Sequence, residues 1–409
     1  MPTRRQWLRR LGGGLGVGLT GLAGCASAPR VSDRRSFDPL APTSLDDRAS
    51  TQFRGGLRNR GYVDRTVPDE VELDWSMPVN RGDHTAAKST PVSTPDGEVV
   101  IAGDTGEIRR VRPDGEVRWT ASVDQTARGI HGTPAIANGQ VYVGAYDGAL
   151  YAFDLSTGRR EWRTKLGDAI GSSPVYHNGH CYIAVEYADP SGSVAAVDAS
   201  SGAVQWIDYW PTDHPHSTVA LARDAGRLVV GANDGVCYAW SFPDLERVWT
   251  VQTEGAIKGP VAVHDGLAIF GSWDDRVYAL DLADGSEVWS FTADRDVMSG
   301  PAVAHGHVYV GSHDSRLYAL DAASGTERWR FDTGGWLIGS VTATPDHVLV
   351  GSYDTRFYAV DAESGEEAWH ATGRGHATSA ALVTDEAVYY AERATEEQTG
   401  NLYRLVSAE

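Results

Sequence analysis

Residues 300–331 read Gly300-Pro301-Ala302-Val303-Ala304-His305-Gly306-His307-Val308-Tyr309-Val310-Gly311-Ser312-His313-Asp314-Ser315-Arg316-Leu317-Tyr318-Ala319-Leu320-Asp321-Ala322-Ala323-Ser324-Gly325-Thr326-Glu327-Arg328-Trp329-Arg330-Phe331. Four runs of about five residues, rich in Val, Tyr, Leu and aromatic side chains, alternate with His-Gly, Asp-Ser and Ser-Gly turn pairs. That is the pattern of four short antiparallel strands, A to D, joined by tight turns. The stretch closes on Trp329, and the same Trp recurs on both sides of it. Trp75, Trp119, Trp162, Trp206, Trp249, Trp289, Trp329 and Trp369 are spaced by 44, 43, 44, 43, 40, 40 and 40 residues. A period of about 40 residues filled with short strands marks the blades of a propeller.

The turn between strands C and D is the most regular part of the unit. Asp154, Asp198, Asp281, Asp321 and Asp361 each lie eight residues before their Trp, and Gly115, Gly158, Gly202, Gly285, Gly325 and Gly365 four before it. Asp can accept turn N–H bonds and Gly supplies positive φ. The fourth repeat has Ser241 and Leu245 at these places, which predicts a different turn there. Each Trp is expected to wedge against the neighbouring blade, so all eight are structural.

Seven complete repeats run from Ser89 to Trp369. An eighth supplies strands A to C, ending at Leu402–Val406, and has no Trp. Val71-Glu72-Leu73-Asp74-Trp75 is an orphan strand D at the other end. Pairing the two predicts an all-β, eight-bladed β-propeller of four-stranded antiparallel blades, closed by Val71–Trp75 so that no sheet edge is left open.

Ahead of the repeats, Thr3-Arg4-Arg5-Gln6-Trp7-Leu8-Arg9 resembles a twin-arginine export signal, and Leu22-Ala23-Gly24-Cys25 a lipobox. Residues 1–24 are read as a signal peptide and Cys25 as the lipid anchor; the competing reading is an ordinary signal peptide with a chance Cys. Leu11–Gly24 is too short and Gly-rich to span a membrane. Residues 25–70, rich in Ser, Pro, Asp and Arg, are expected to be a flexible tether, with the propeller at 71–409. The expected location is the outer face of the cytoplasmic membrane.

Among 409 residues there are 55 Asp plus Glu against 36 Lys plus Arg, a formal net charge of −19. This excludes nucleic-acid binding through a basic surface. The only Lys residues are Lys88, Lys165 and Lys258. An acidic, Lys-poor chain resembles proteins of halophilic archaea; an Arg-rich, GC-biased genome would leave a similar bias.

The motif Tyr-Ala-Leu-Asp, a Gly turn and then Trp, as in 278–281, 318–321 and (with Val360) 358–361, resembles the PQQ-like repeat of quinoprotein-type propellers. Two functional classes share it. Lipobox, linker and bare propeller resemble the eight-bladed outer-membrane assembly scaffold lipoproteins. That implies a monomeric protein-interaction or ligand-binding scaffold for membrane or cell-surface proteins, without catalytic residues, cofactor or metal. The alternative is a PQQ- and calcium-dependent dehydrogenase. Resemblance to those enzymes implies a vicinal Cys pair, a Trp floor under the quinone, Glu/Asn/Asp calcium ligands and an Asp base. Apart from Cys25 the only thiols are Cys181 and Cys237, at apolar strand positions. They are either reduced core residues or an inter-blade disulfide. The pairs His177/His180 and His305/His307 lack a third ligand and are read as solvated turn residues.

A binding site is expected where the D–A loops reach the channel mouth. The candidates there are Lys88, His131, His216, Lys258, Met298 and Trp336, with His84, His214 and His376 on the same segments. Two of three Lys within one residue of the same repeat position suggest a cationic mouth for an anionic group; the competing reading is a miscellany of polar strand ends.

Overall fold

In the computed structural model, the repeat quoted above pairs as its turns predict. Ala302–Ala304 lies antiparallel to His307–Gly311, that strand to Arg316–Asp321, and that to Glu327–Asp332. The structure describes residues 33–34, 38–40, 49–82, 89–124 and 127–408; Cys25, the twin-arginine motif, His84 and Lys88 lie outside them. Equivalent four-strand sheets recur at 92–122, 135–165, 175–208, 220–252, 262–292 and 342–372, which we number with 302–332 as blades 1 to 7. Strand D is bulged against strand C in every one, as between Ala319 and Leu320. The bulged residue turns outward, which exposes Val248 and Val288.

Closure is as expected but longer. Val71–Asn80 runs antiparallel to Gly400–Ser407, with Glu72 opposite Val406 and Met77 opposite Leu402. Val388–Arg393 and Leu382–Val383 complete blade 8. A cluster of buried side chains fills each of the eight blade interfaces, the last joining blade 8 to blade 1 through Tyr389, Leu402, Val99 and Ile101.

The repeat Trp residues hold neighbouring blades together. The Trp289 indole N–H donates to the Ala322 carbonyl of the next blade at 2.9 Å, and Trp75, Trp119, Trp162, Trp249, Trp329 and Trp369 do the same. The turn Gly lies against that ring: at Gly325, φ is +70° and a Cβ would sit 2.5 Å from Trp289. Asp321 accepts from Ser324 N and Oγ; these bonds and Arg328 hold its carboxyl down at about 2, Arg328 contributing most. Blade 4 departs as predicted. Leu245 takes the Gly place at φ +55°, and Trp206 instead packs edge-on against Trp240.

Two expectations need correction. Residues 49–67, assigned to a flexible tether, form a strap across the inner strands. Ala49–Thr51 pairs with blade 2, and the Tyr176 N–H of blade 3 donates to Gln52. The amides of Leu221, Val263, Val303 and Ala343, one equivalent position in blades 4 to 7, donate to the carbonyls of Leu57, Arg58, Arg60 and Gly61. The innermost strand of a blade leaves one edge unpaired, and the strap satisfies it. Asn59 is fully buried, its amide nitrogen reaching the Thr218, Val219 and Val261 carbonyls. The second correction concerns the turn histidines. His177 is buried beside Phe242 because its turn packs against the adjacent blade, whereas His305 is exposed as expected while bonding the Thr344 carbonyl. Cys181 and Cys237 are separate buried thiols, pushed up by burial.

Candidate functional site

The start of each inner strand faces the channel mouth, and in blades 5 to 7 the loop leading into it is fastened to the B–C turn of that blade. Glu254 N donates to Asp274, Asp294 N to Asp314 and Gly334 N to Asp354, at 3.0, 3.1 and 2.7 Å. The same carboxylates accept the hydroxyls of Tyr278, Tyr318 and Tyr358. The loops carrying Lys258, Met298 and Trp336 are thereby fastened to the blades they enter, and Ile257 N, Val297 N and Leu337 N tie them to the carbonyls of Ala232, Ser272 and Ser312 in the preceding blades.

Five of the six mouth candidates meet around one cavity of about 390 Å³: His131, His216, Lys258, Met298 and Trp336. Lys88 lies outside the described residues. Phe53 of the strap also lines this cavity. His214 and His376 are engaged elsewhere, bonding the carbonyls of Tyr187 and Tyr353 at 2.7 Å.

Sequence reading missed a second ring. Tyr146, Trp273, His313 and Tyr353 line the same cavity from the B–C turns. Each stands immediately before the turn Asp, in Gly144-Ala145-Tyr146-Asp147, Gly271-Ser272-Trp273-Asp274, Gly311-Ser312-His313-Asp314 and Gly351-Ser352-Tyr353-Asp354. A bulky residue of changing identity inside a constant frame was the available signal. These rings make an arc with Trp336. Trp273 lies 6.3 Å from His313, His313 stacks on Trp336 at 5.1 Å and 15°, and Trp336 lies 5.8 Å from Tyr353. Across the cavity His131 lies 4.2 Å from Tyr146, with Arg128 over the Tyr146 ring.

The lining is cationic and aromatic, and among the described residues it includes no carboxylate. The Lys258 ammonium sits 3.8 Å from the Trp273 ring centroid. Burial lowers its pKa, against the through-space pull of Asp213, Glu186 and Asp296. Glu186, behind the lining, is bonded to His216 at 3.0 Å and to Gly171 N at 3.2 Å. Burial would raise its pKa, but the His216 contact and the charges of His216 and His214 bring it below the ordinary value.

These residues do not suit a calcium–quinone site. The two described thiols are far apart in sequence and unpaired, and among the described residues no three His, Cys, Asp or Glu side chains converge to hold a metal ion.

A family model described as outer membrane protein assembly factor BamB matches residues 68–208, 190–298 and 273–407. Outer membrane protein assembly factor BamB of Moranella endobia is 27% identical over 199 residues, 46% of this chain and 48% of that protein. The chain spans about half the length of the curated relatives it matches. Two solved structures share the fold. BamB from Moraxella catarrhalis has a TM-score of 0.64 at 17% identity, covering 82% of this chain and 100% of that one. A quinohemoprotein alcohol dehydrogenase from Comamonas testosteroni has a TM-score of 0.72 at 15% identity, covering 89% and 82%.

Proposed function

We propose, from the premise that this chain belongs to the family described as outer membrane protein assembly factor BamB, that it is an exported, lipid-anchored scaffold on which other membrane or cell-surface proteins assemble, without catalysis of its own. The observation that carries this reading is the extent of the family match, which runs through all eight blades from residue 68 to residue 407. The layout supports it. Short turns join the strands of every blade, leaving a rigid ring whose loops are cross-fastened between blades. Such a frame presents side chains at fixed spacing and costs little ordering entropy when a partner docks. Cys25 would tether it to the membrane through a lipid, on the outer face of the cytoplasmic membrane.

The test is photo-cross-linking in native membranes, with the full chain carrying a photoreactive residue at Val248 or Val288 on exposed outer strands, or at Trp336 on the mouth. A discrete cross-linked membrane protein at one of these positions is expected, and diffuse labelling at all three would refute the scaffold. A PQQ and calcium titration with dye-linked alcohol oxidation provides the second arm. Turnover there would replace the scaffold reading with a dehydrogenase.

A further inference from the structure

We propose that the central cavity binds a small organic oxyanion, a carboxylate or phosphate carried on a flat ring, with Lys258 holding the charge and Trp336 the ring. This goes beyond the scaffold reading and stands without it.

The first observation is an imbalance of donors and acceptors. The chain carries a net charge of −19, yet among the described residues the side chains lining this cavity include Lys258 and Arg128 and no carboxylate. Among the described residues Lys258 makes no hydrogen bond or ion pair; its one close contact is the Trp273 ring. Of the three carboxylates that act on it through space, Asp213 lies by His214 at 3.7 Å, Glu186 is bonded to His216 and Gly171 N, and Asp296 lies by His313 at 3.8 Å.

The second observation is a run of hydroxyls on the inner strands. Thr133 Oγ1 accepts from Thr90 N, Ser173 Oγ from Thr133 N, and Thr218 Oγ1 from Ser173 N, at 2.9, 2.9 and 3.1 Å. Each oxygen already accepts one bond, and each hydroxyl keeps its proton to donate into the cavity. All three residues line the cavity, on blades 2 to 4, next to Lys258 on blade 5. Three hydroxyl protons beside the Lys258 ammonium suit a ligand rich in acceptors.

The third observation is the opposite wall. Trp336 is 45% exposed, although its other neighbours hold it by stacking. An exposed indole face backed by a stacked imidazole is a platform for a flat ring. The volume suits one ring and one anionic group. Donors on one side and an aromatic face on the other define an amphipathic ligand.

The experiment is calorimetric titration of the full chain with phenyl phosphate, benzoate and the uncharged benzyl alcohol at fixed ionic strength. Both anions should saturate one site and benzyl alcohol should bind at least about tenfold more weakly, the scale of a charge-assisted bond. The tighter of the two anions tells phosphate from carboxylate as the natural head group. Lys258→Met should lose about tenfold for both anions, while Lys258→Arg, which keeps the charge, retains most of the affinity. Trp336→Ala, with its melting curve as the control for folding, should weaken all three probes. Failure of both anions to saturate, equal binding of benzyl alcohol, or full affinity in Lys258→Met with a wild-type melting curve would each overturn the proposal.

Discussion

The strap across the inner strands makes a sharp prediction at Asn59. Its amide nitrogen has two protons and three carbonyl acceptors, Val219 at 3.1 Å and Thr218 and Val261 at 3.2 Å. Two hydrogen bonds are therefore at stake, each worth about 1 kcal/mol net. Asn59 also has φ +52°, a conformation Asn tolerates and Ala does not, costing roughly 1 kcal/mol more. Asn59→Ala should thus weaken the closed strap by about 3 kcal/mol, and Asn59→Gly, which accepts the backbone angle, by about 2 kcal/mol. The assay is native-state hydrogen exchange at Leu221, Val263, Val303 and Ala343, whose amides all donate to strap carbonyls. If the strap opens as one unit, all four should exchange about a hundredfold faster in Asn59→Ala and about thirtyfold faster in Asn59→Gly. Unchanged exchange would refute the strap's contribution. Acceleration at Val263 alone would refute its cooperativity.

Further expectations follow from single sites. Gly325→Ala combines φ +70° with a Cβ 2.5 Å from Trp289 and should cost on the order of 2–4 kcal/mol, read by chemical denaturation. Glu392 is fully buried, and burial raises its carboxyl from 4.5 to about 7. Its proton is therefore bound in the folded chain and lost from the unfolded one between those values, so its contribution to stability falls as pH rises from about 4.5 to about 7. Glu392→Gln should remove that slope and gain up to roughly 3 kcal/mol over wild type at pH 8, measured as the difference between their denaturation curves across pH. Cys25→Ser should appear in the medium rather than in the membrane fraction on immunoblotting, if the lipid is the sole tether.

The ring of blades was legible in the chain because its determinants are local and repeated. Trp289, Gly325 and Asp321 act within one blade or between two neighbours, so a period of about 40 residues displays the Trp eight times, the Gly six and the Asp five. Closure was legible for a related reason: an orphan strand at Val71–Trp75 and a missing one after Val406 are complementary defects. The mouth was half legible. Lys258 and His131 stand at one repeat position and could be aligned, whereas Tyr146, Trp273, His313 and Tyr353 differ in identity and were concealed by their variety.

The strap was not legible at all, and the reason is physical. Residues 49–67 meet the inner strands through backbone carbonyls, which every residue possesses, and through the scattered side chains of Gln52, Arg54 and Asn59, which follow no period. Which carbonyls face which amides depends on eight strand edges brought into register by the closed ring. Composition and period therefore determined the blades, their number and the packing of each Trp against its neighbour. The tertiary structure alone decided that a polar, aperiodic segment would lie across the channel. It also decided that Lys258 would meet the hydroxyls of Thr133, Ser173 and Thr218 on one side of a cavity and Trp336 on the other, because residues some 40 positions apart become neighbours only when the ring shuts.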